Sequence, residues 1–494
     1  MKNNSAADLT IALPAPAMRA IALLERQGFS SCAVGGCVRD SLLGSEPGDW
    51  DIATAATPAQ TMECFVDYRR IATGLRHGTV TVLLDGMPLE ITTYRVDGVY
   101  TDSRHPDSVH YTGSLEEDLA RRDFTINAMA YHPARGLADY HNGLRDLREG
   151  VVTCVGEPDR RFEEDALRIL RAVRFASCLN FSIAPPTRQS MLRLCGRLER
   201  IARERIAAEL GRAVVGPGFG RAFGENAPIL FQVIPALGEL NRRYPALWRQ
   251  TLRQVDRAAP ELELRLALLL GNLGAVCAGN PEGGAFAGAV LRGLRFPGNL
   301  VTAVEKLVAL RDAAIYPQRR ELRRQLSDWG ERRFFQLVRL RRARLEAPEV
   351  CGERARQREE LDRAESMAKA LLEEKPCLAL GDLAVKGGDL LAAGVPQGPQ
   401  VGGLLQYLLG LVLAEQVENR RDALLEAALE RRKKMERTGD APCNTNLLLK
   451  GRKDLRGIIV PDKAKDAGGL TPGKDDNAVW RNNTRKAFDD LMED

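Results

Sequence analysis

The feature that most narrows what this chain can be is the pairing of Gly35-Gly36 with Asp49-Trp50-Asp51, a glycine turn and two carboxylates about a dozen residues apart. The run FSSCAVGGCVRDSLLG reads as a short apolar strand from Ser31 to Val34, a turn, and a helix beginning near Cys37. A helix N-terminus there offers unpaired backbone N–H groups and a positive dipole end, both suited to phosphate. GDWDIAT reads as a second strand, whose alternation sets Asp49 and Asp51 on one face and Trp50 and Ile52 on the other. Two neighbouring carboxylates repel unless a divalent cation neutralises them, and an all-oxygen set suits Mg²⁺, which substrate phosphates can help to hold. Alone, a Gly-Gly is an ordinary turn and a DxD an ordinary solvated acid pair. In this order and this close, they outline a phosphoryl-transfer site.

Downstream, two alternating strands flank an Asp85-Gly86 hairpin turn. Glu90 lies on the second of them, among Leu89, Ile91 and Thr92. It is either an edge acid facing water or a third carboxylate beside Asp49 and Asp51, able to orient a metal or accept a proton from an attacking hydroxyl.

EDLARRDFTINAMAYH, from Glu117 to His132, and RRFEEDALRILRAVRFA, from Arg160 to Ala176, follow in order. With GGCVRD and DWD, these strings resemble the class II template-independent nucleotidyltransferases, the bacterial family of CCA-adding tRNA nucleotidyltransferases and poly(A) polymerases. The likeness is dense from about residue 30 to 215 and looser to about residue 430. It implies that Gly35, Gly36 and Arg39 hold the triphosphate of an incoming nucleotide, and that Asp49 and Asp51 bind the metals of a two-metal nucleotidyl transfer, with Glu90 as the third acid. Arg122, Asp123 and Asn127 stand at family positions that meet ribose and phosphates. Without the family, RRD reads as a helix start capped by Asp123.

On a helix, Asp165, Arg168 and Arg171 recur every three residues and Glu164 lies four before Arg168, so the four share a face. Taken alone this is a solvated ion-pair ladder. The resemblance instead makes Asp165 and Arg168 a protein template that reads the Watson–Crick edge of the base, with Glu164 orienting Arg168. A carboxylate accepts from the exocyclic amine of C or A and repels the carbonyl of U or G. An unpaired polar group in a dry pocket costs about 1–3 kcal/mol, enough to discriminate.

CCA addition and poly(A) addition share all of this. Tyr100, Asp102, Arg104, His105 and Pro106 resemble the flexible loop with which CCA-adding enzymes switch from C to A, and Gly398-Pro399, Gly402 and Asn419 match the body and tail of that type. The expected function is therefore addition of C, C and A to the 3′ end of tRNA from CTP and ATP. Poly(A) synthesis, CC-only or A-only addition, and an RNA-binding protein with an inactive head are the alternatives. A histidine-aspartate phosphohydrolase region found in relatives is expected to be inactive, because Gln250 and Gly271-Asn272 occupy its ligand positions and all five histidines lie in the first third of the chain.

A net charge of +5 is modest, so RNA contact must come from clusters. The clearest runs from Gln318 to Arg344, where Arg319, Arg320, Arg323 and Arg324 are candidates for tRNA phosphates, with Arg193, Arg197, Arg200, Arg203 and Arg205 as further ones. Glu204, Arg205 and Glu209 match a neck motif read as structural. Ten cysteines without a CxxC pair, no signal-like apolar run and no membrane stretch point to reduced thiols in a cytoplasmic protein. The expected fold is α+β: a nucleotidyltransferase head with a mixed sheet (1–150), then an elongated all-α neck (151–215), body (216–345) and RNA-binding tail (346–431), and an extension of unplaced role (432–494) with a short helix near Ala478 to Met492. Gly279–Ala289 and Ala347–Glu353 are expected to be connections.

Overall fold

The computed structural model describes residues 9–72, 74, 78–97, 109–276, 283–345 and 352–438. The chain falls into two compact units that part between Arg311 and Asp312, inside the segment expected to form one body.

The first unit opens with helix α1 (Ala15–Arg26), whose Ala17, Ala20, Ile21 and Leu24 form a buried stripe. A seven-stranded mixed sheet follows, built from β1 (Ser31–Val34), β2 (Trp50–Thr54), β3 (Arg69–Ile71), β4 (Thr79–Leu84), β5 (Met87–Thr93), β8 (Ala130–His132) and β9 (Gly136–Ala138), in the order β3-β4-β5-β2-β1-β8-β9. β6 (Arg95–Asp97) and β7 (Val109–Tyr111) make a separate antiparallel pair. β4 and β5 are joined by the expected two-residue turn, Asp85 (φ 49°) and Gly86 (φ 82°), the positive-φ pair that matches strand twist in a hairpin. Strand β4 alternates between buried and half-buried positions, with Val80, Val82 and Leu84 inward.

β1 and β2 pair antiparallel, with Ala33 opposite Ile52, whereas β2 and β5 pair parallel, with Asp51 opposite Glu90. The turn after β1 and the start of β2 therefore lie at the same end of the sheet. Between them runs α2 (Gly36–Leu42), and beyond β2 comes α3 (Pro58–Cys64), closed by a Thr57–Gln60 capping box.

After α4 (Leu115–Ala120) and α5 (Gly143–Glu149) the chain becomes mainly helical: α6 (Pro158–Glu164), α7 (Leu167–Leu179), α8 (Pro185–Leu194) and α9 (Arg203–Val214), then helices to Leu310. One small departure from the all-α neck is a parallel ladder of β10 (Val151–Val152) and β11 (Ser182–Ile183). α7 packs on α9 closely enough that Ser177 Oγ donates to the Ala213 carbonyl (2.6 Å). Arg265, 3% exposed, donates to the carbonyls of Val214 (3.0 Å), Gly216 (2.6 Å), Asp256 (3.4 Å), Ala258 (2.9 Å) and Ala259 (3.3 Å), satisfying the chain ends that follow two helices.

The glycine-rich stretch expected as a connection is largely a helix, Gly283–Gly293. It crosses Gly298–Leu310 so tightly that a Cβ on Gly284 would lie 2.6 Å from the Glu305 carbonyl oxygen. These glycines serve helix packing rather than a turn. Residues 279–282 of that stretch and 347–351 of the second expected connection lie outside the described residues, and Gly352 already begins a helix running to Glu373.

The second unit is helical, with a core of Leu383, Val385, Leu390, Leu404, Leu408, Val412 and Leu424. Its last described helix, Arg421–Thr438, continues past residue 431. Among the described residues, no helix is long and apolar enough to cross a membrane.

Candidate active site

Gly35 turns the chain from β1 into α2 with φ 81°, a conformation L side chains rarely adopt, and its N–H donates to the Met129 carbonyl (3.0 Å). A Cβ there would lie 3.0 Å from Arg122 Nη1, and one on Gly36 would lie 3.8 Å from Arg39 Nη2. Two guanidinium groups from distant parts of the chain thus flank a turn whose following N–H groups have no intrahelical acceptor, a strongly anion-seeking arrangement.

Asp51 sits beside this turn; Cys37 Sγ, in the first turn of α2, is 3.8 Å from the Asp51 carbonyl oxygen. Strand β2 starts at Trp50, so Asp49 lies on the bend before it rather than on the strand as expected. Trp50 and Ile52 are buried as expected, while Asp51 is half-buried and Asp49 and Glu90 are exposed. The Asp51 carboxyl is pushed up from 3.8 to about 6, first by burial, then by the charges of Asp49 and Glu90, with Arg122 opposing. The three acids therefore form one electrostatic cluster. Among the described residues no group of three or more His, Cys, Asp or Glu is arranged to hold a metal ion by itself. The crowded oxygen donors fit a hard divalent cation that takes the rest of its ligands from phosphate and water.

Asp123 and Asn127, expected at ribose and phosphates, are 8% and 7% exposed and turned toward protein partners. Asp123 accepts from Arg171 Nε (2.8 Å) and Nη2 (2.5 Å) and from Asn127 Nδ2 (3.1 Å), while Asn127 Oδ1 accepts from Arg39 Nη1 (2.6 Å). Burial alone would raise the Asp123 pKa, but Arg171 and Asn127 outweigh it and hold it down to about 2. Arg122 pairs with Asp118 (3.2 Å).

The run EEDALRILR is not one helix. α6 ends at Glu164, Asp165 is extended (φ −143°, ψ 104°) and α7 begins at Leu167. The break arises because the Asp165 carboxylate takes the Leu167 N–H (3.0 Å), as Asp does at helix starts, and is also gripped by Arg205 Nη2 (2.8 Å) from α9. The expected Glu164–Arg168 pair is present (2.7 Å), and Arg168 also donates to the carbonyls of Arg161 (3.1 Å) and Arg121 (3.3 Å). Arg205, expected among RNA contacts and in a structural motif, is thus a partner of the base-reading candidate. Glu209 pairs with Arg174 (2.6 Å) and lies 3.7 Å from Arg171. Sequence reasoning missed the Arg205–Asp165 pairing, since 40 residues separate the two and no local spacing announces it.

In the second unit, Arg319 pairs with Glu374 and with Glu415 (2.9 Å), Arg323 with Glu415 (3.0 Å) and Arg324 with Glu321 (2.8 Å), while Arg320 is exposed. Arg193 and Arg197 pair with Asp159 and Glu163. Most of these arginines meet acids remote in sequence, which counting charges within one segment cannot reveal. At the phosphohydrolase positions, Asn272 donates to Thr251 Oγ1 (2.9 Å) and accepts from Arg311 Nη1 (3.4 Å). The switching-loop candidates Tyr100, Asp102, Arg104, His105 and Pro106, and the helix expected near Ala478 to Met492, lie outside the described residues.

A mixed sheet that presents a glycine turn, flanking arginines and clustered carboxylates at one end defines a nucleotidyltransferase head. Residues 32–153 match the family description "Poly A polymerase head domain", and residues 283–428 match a tRNA nucleotidyltransferase domain 2. The CCA-adding enzyme of Limosilactobacillus fermentum is 34% identical over 418 residues, covering 84% of this chain and 96% of that protein. That of Geobacillus stearothermophilus is 35% identical over 433 residues, covering 85% and 98%. The crystal structure of the Bacillus stearothermophilus CCA-adding enzyme in complex with CTP superposes with a TM-score of 0.66 at 30% identity, over 86% of this chain and 100% of that one. A CCA-adding enzyme complexed with ATP, at 21% identity and a TM-score of 0.53, shares the fold. The chain belongs to the family of CCA-adding enzymes. Divalent metal is part of that family's chemistry.

Proposed function

We infer that this protein adds C, C and A to the 3′ end of tRNA, using CTP and ATP and releasing pyrophosphate. The observation that carries the reading is the meeting, at one end of the sheet, of the Gly35-Gly36 turn, Arg39 and Arg122 with the Asp49, Asp51 and Glu90 cluster, in a chain similar to CCA-adding enzymes over nearly their whole length. The turn and the two arginines hold the triphosphate. The tRNA 3′-oxygen forms a bond to the α-phosphorus as the α–β bridging bond breaks, and the hydroxyl proton passes to a neighbouring carboxylate such as Glu90 or to water. Asp49 and Asp51 would hold Mg²⁺, which would supply positive charge to offset the negative charge that develops during transfer.

Asp165 accepts from the exocyclic amine of C or A, and Arg168, held by Glu164, donates to the adjacent ring acceptor. The Asp165 carboxylate has room for this beside its bonds to Leu167 and Arg205, because an ionised carboxylate accepts about four hydrogen bonds. Asp123, Asn127 and Arg171 act by holding Arg39 and the start of the neck in place. Segments 1–150 and 151–215 serve as head and neck and the helices beyond them as body and tail, with Arg319, Arg320, Arg323 and Arg324 on the tRNA side, and the cytoplasm is the site of action.

The test is to incubate the protein and Mg²⁺ with tRNA transcripts ending at the discriminator base, at C and at CC, each with CTP, ATP or both. Addition that stops after CCA is expected. Long A tails would replace the reading with poly(A) synthesis, products ending at CC or gaining only A with a split pathway, and no product with an inactive head.

A further inference from the structure

Phe175, which no part of the nucleotide site described above employs, lies at a junction of charge. It is 5% exposed on α7, and Phe124 meets its ring edge-to-face at 5.7 Å. Around that ring stand three guanidinium groups, with the carbons of Arg174, Arg39 and Arg171 at 3.9, 5.1 and 5.5 Å from the centroid. Each has its own acid: Arg39 pairs with Asp40 (2.7 Å), Arg171 with Asp123 (2.5 Å) and Arg174 with Glu209 (2.6 Å). Three partly desolvated cations around one apolar side chain would be poorly placed against an aliphatic group. A ring quadrupole attracts them.

The three come from different places. Arg39 projects from α2 over the glycine turn, whereas Arg171 and Arg174 share α7 with Arg168, and α7 begins two residues after Asp165. The ring is thus the point where the phosphate-holding arginine of the head rests on the helix that carries Arg168 and starts two residues after Asp165.

We propose that Phe175 is a positioning residue for nucleotide binding: its aromatic face sets the Arg39 guanidinium over the Gly35-Gly36 turn, so that triphosphate and base are held in register by one element. The inference rests on the reading of the site as nucleotidyl-transferring. Because Phe175 acts through Arg39, which meets the triphosphate common to both substrates, loss of the aromatic face affects CTP and ATP equally and leaves base choice unchanged.

The test replaces Phe175 with mono-, tri- and pentafluorophenylalanine, a series that drains the ring's negative face while nearly preserving its shape. KM for both CTP and ATP, and the dissociation constant for CTP by equilibrium dialysis, should climb along the series to roughly five- to tenfold, with kcat within about twofold. Phe175→Tyr, which keeps the face, should retain the native KM, and Phe175→Leu should behave like the fully fluorinated ring. A flat KM and dissociation constant across the fluorinated series overturns the proposal, as does a fall in kcat with KM unchanged. A change confined to melting temperature also overturns it, since it would mean that the ring serves only Arg174 and the packing. Native protein that binds CTP yet extends no tRNA refutes the functional reading instead, and the dialysis series still decides the role of Phe175.

Discussion

Asp51→Asn is expected to make the metal-free protein more stable while abolishing CTP incorporation. Burial and the nearby charges of Asp49 and Glu90 raise the Asp51 pKa from 3.8 to about 6. That difference corresponds to about 3 kcal/mol by which the ionised carboxylate destabilises the native state. The sign follows from proton binding. The native state holds the Asp51 proton more tightly than the unfolded chain, so the penalty is absent below about pH 4, grows between about pH 4 and 6, and is fully present above. In a compact unit of about 300 residues, 3 kcal/mol amounts to a melting shift of roughly 4–5 °C. Scanning fluorimetry of native protein and variant in EDTA across this pH range should show the variant melting higher at pH 8, with the gap closing toward pH 4. Added Mg²⁺ should raise the melting temperature of the native protein but not of the variant. Equal melting at pH 8, or a gap that persists at pH 4, would refute the claim that crowded charge strains this site.

Asp123→Asn takes from the half-buried Arg171 its two-bonded partner, leaving Glu209 3.7 Å away, and should lower stability by about 2 kcal/mol near neutral pH. Because the Asp123 pKa is depressed to about 2, its contribution is complete above about pH 4 and is lost as pH falls toward 2; the melting gap between native protein and variant should shrink in that window. Gly35→Ala forces a side chain into a positive-φ turn 3.0 Å from Arg122 Nη1, so a loss of about 1–2 kcal/mol in stability and a higher KM for CTP and ATP alike are expected. An unchanged KM in steady-state assays would mean that phosphate does not meet this turn. Arg205→Leu frees Asp165 from its grip, and misincorporation of UMP or GMP relative to CMP and AMP should rise roughly tenfold. If sequencing of the extended tRNA ends shows an unchanged ratio, Asp165 does not read the base.

The head was legible in the sequence because its signals are local. A strand, a glycine forced to positive φ and a helix start follow one another within a dozen or so residues, and Asp85-Gly86 specifies its hairpin through backbone conformation alone. The Glu164–Arg168 pair was legible for the same reason, being only four residues apart, and it forms even though the helix breaks between the two. What failed to show was non-local. Nothing in EEDALRILR announces that Asp165 leaves the helix, because the competing partner that holds it there, Arg205, arrives 40 residues later. The arginines after Gln318 look like a free basic surface until Glu374 and Glu415 fold back onto them. Gly284 and Gly288 imitate a loop in composition because close helix crossing and chain reversal both favour the smallest residue.

The carbonyls of Val214 and Gly216, where α9 ends, are completed by Arg265, a residue about fifty positions further on. This bears on how the chain can be divided in the laboratory and by evolution. A fragment cut after residue 215 would keep the glycine turn, the acid cluster and Asp165, yet expose the end of α9, whose Arg205 grips Asp165 and whose Glu209 pairs with Arg174. The end of α9 therefore depends on a guanidinium lent by the next segment, and the two are expected to be inherited, expressed and lost together.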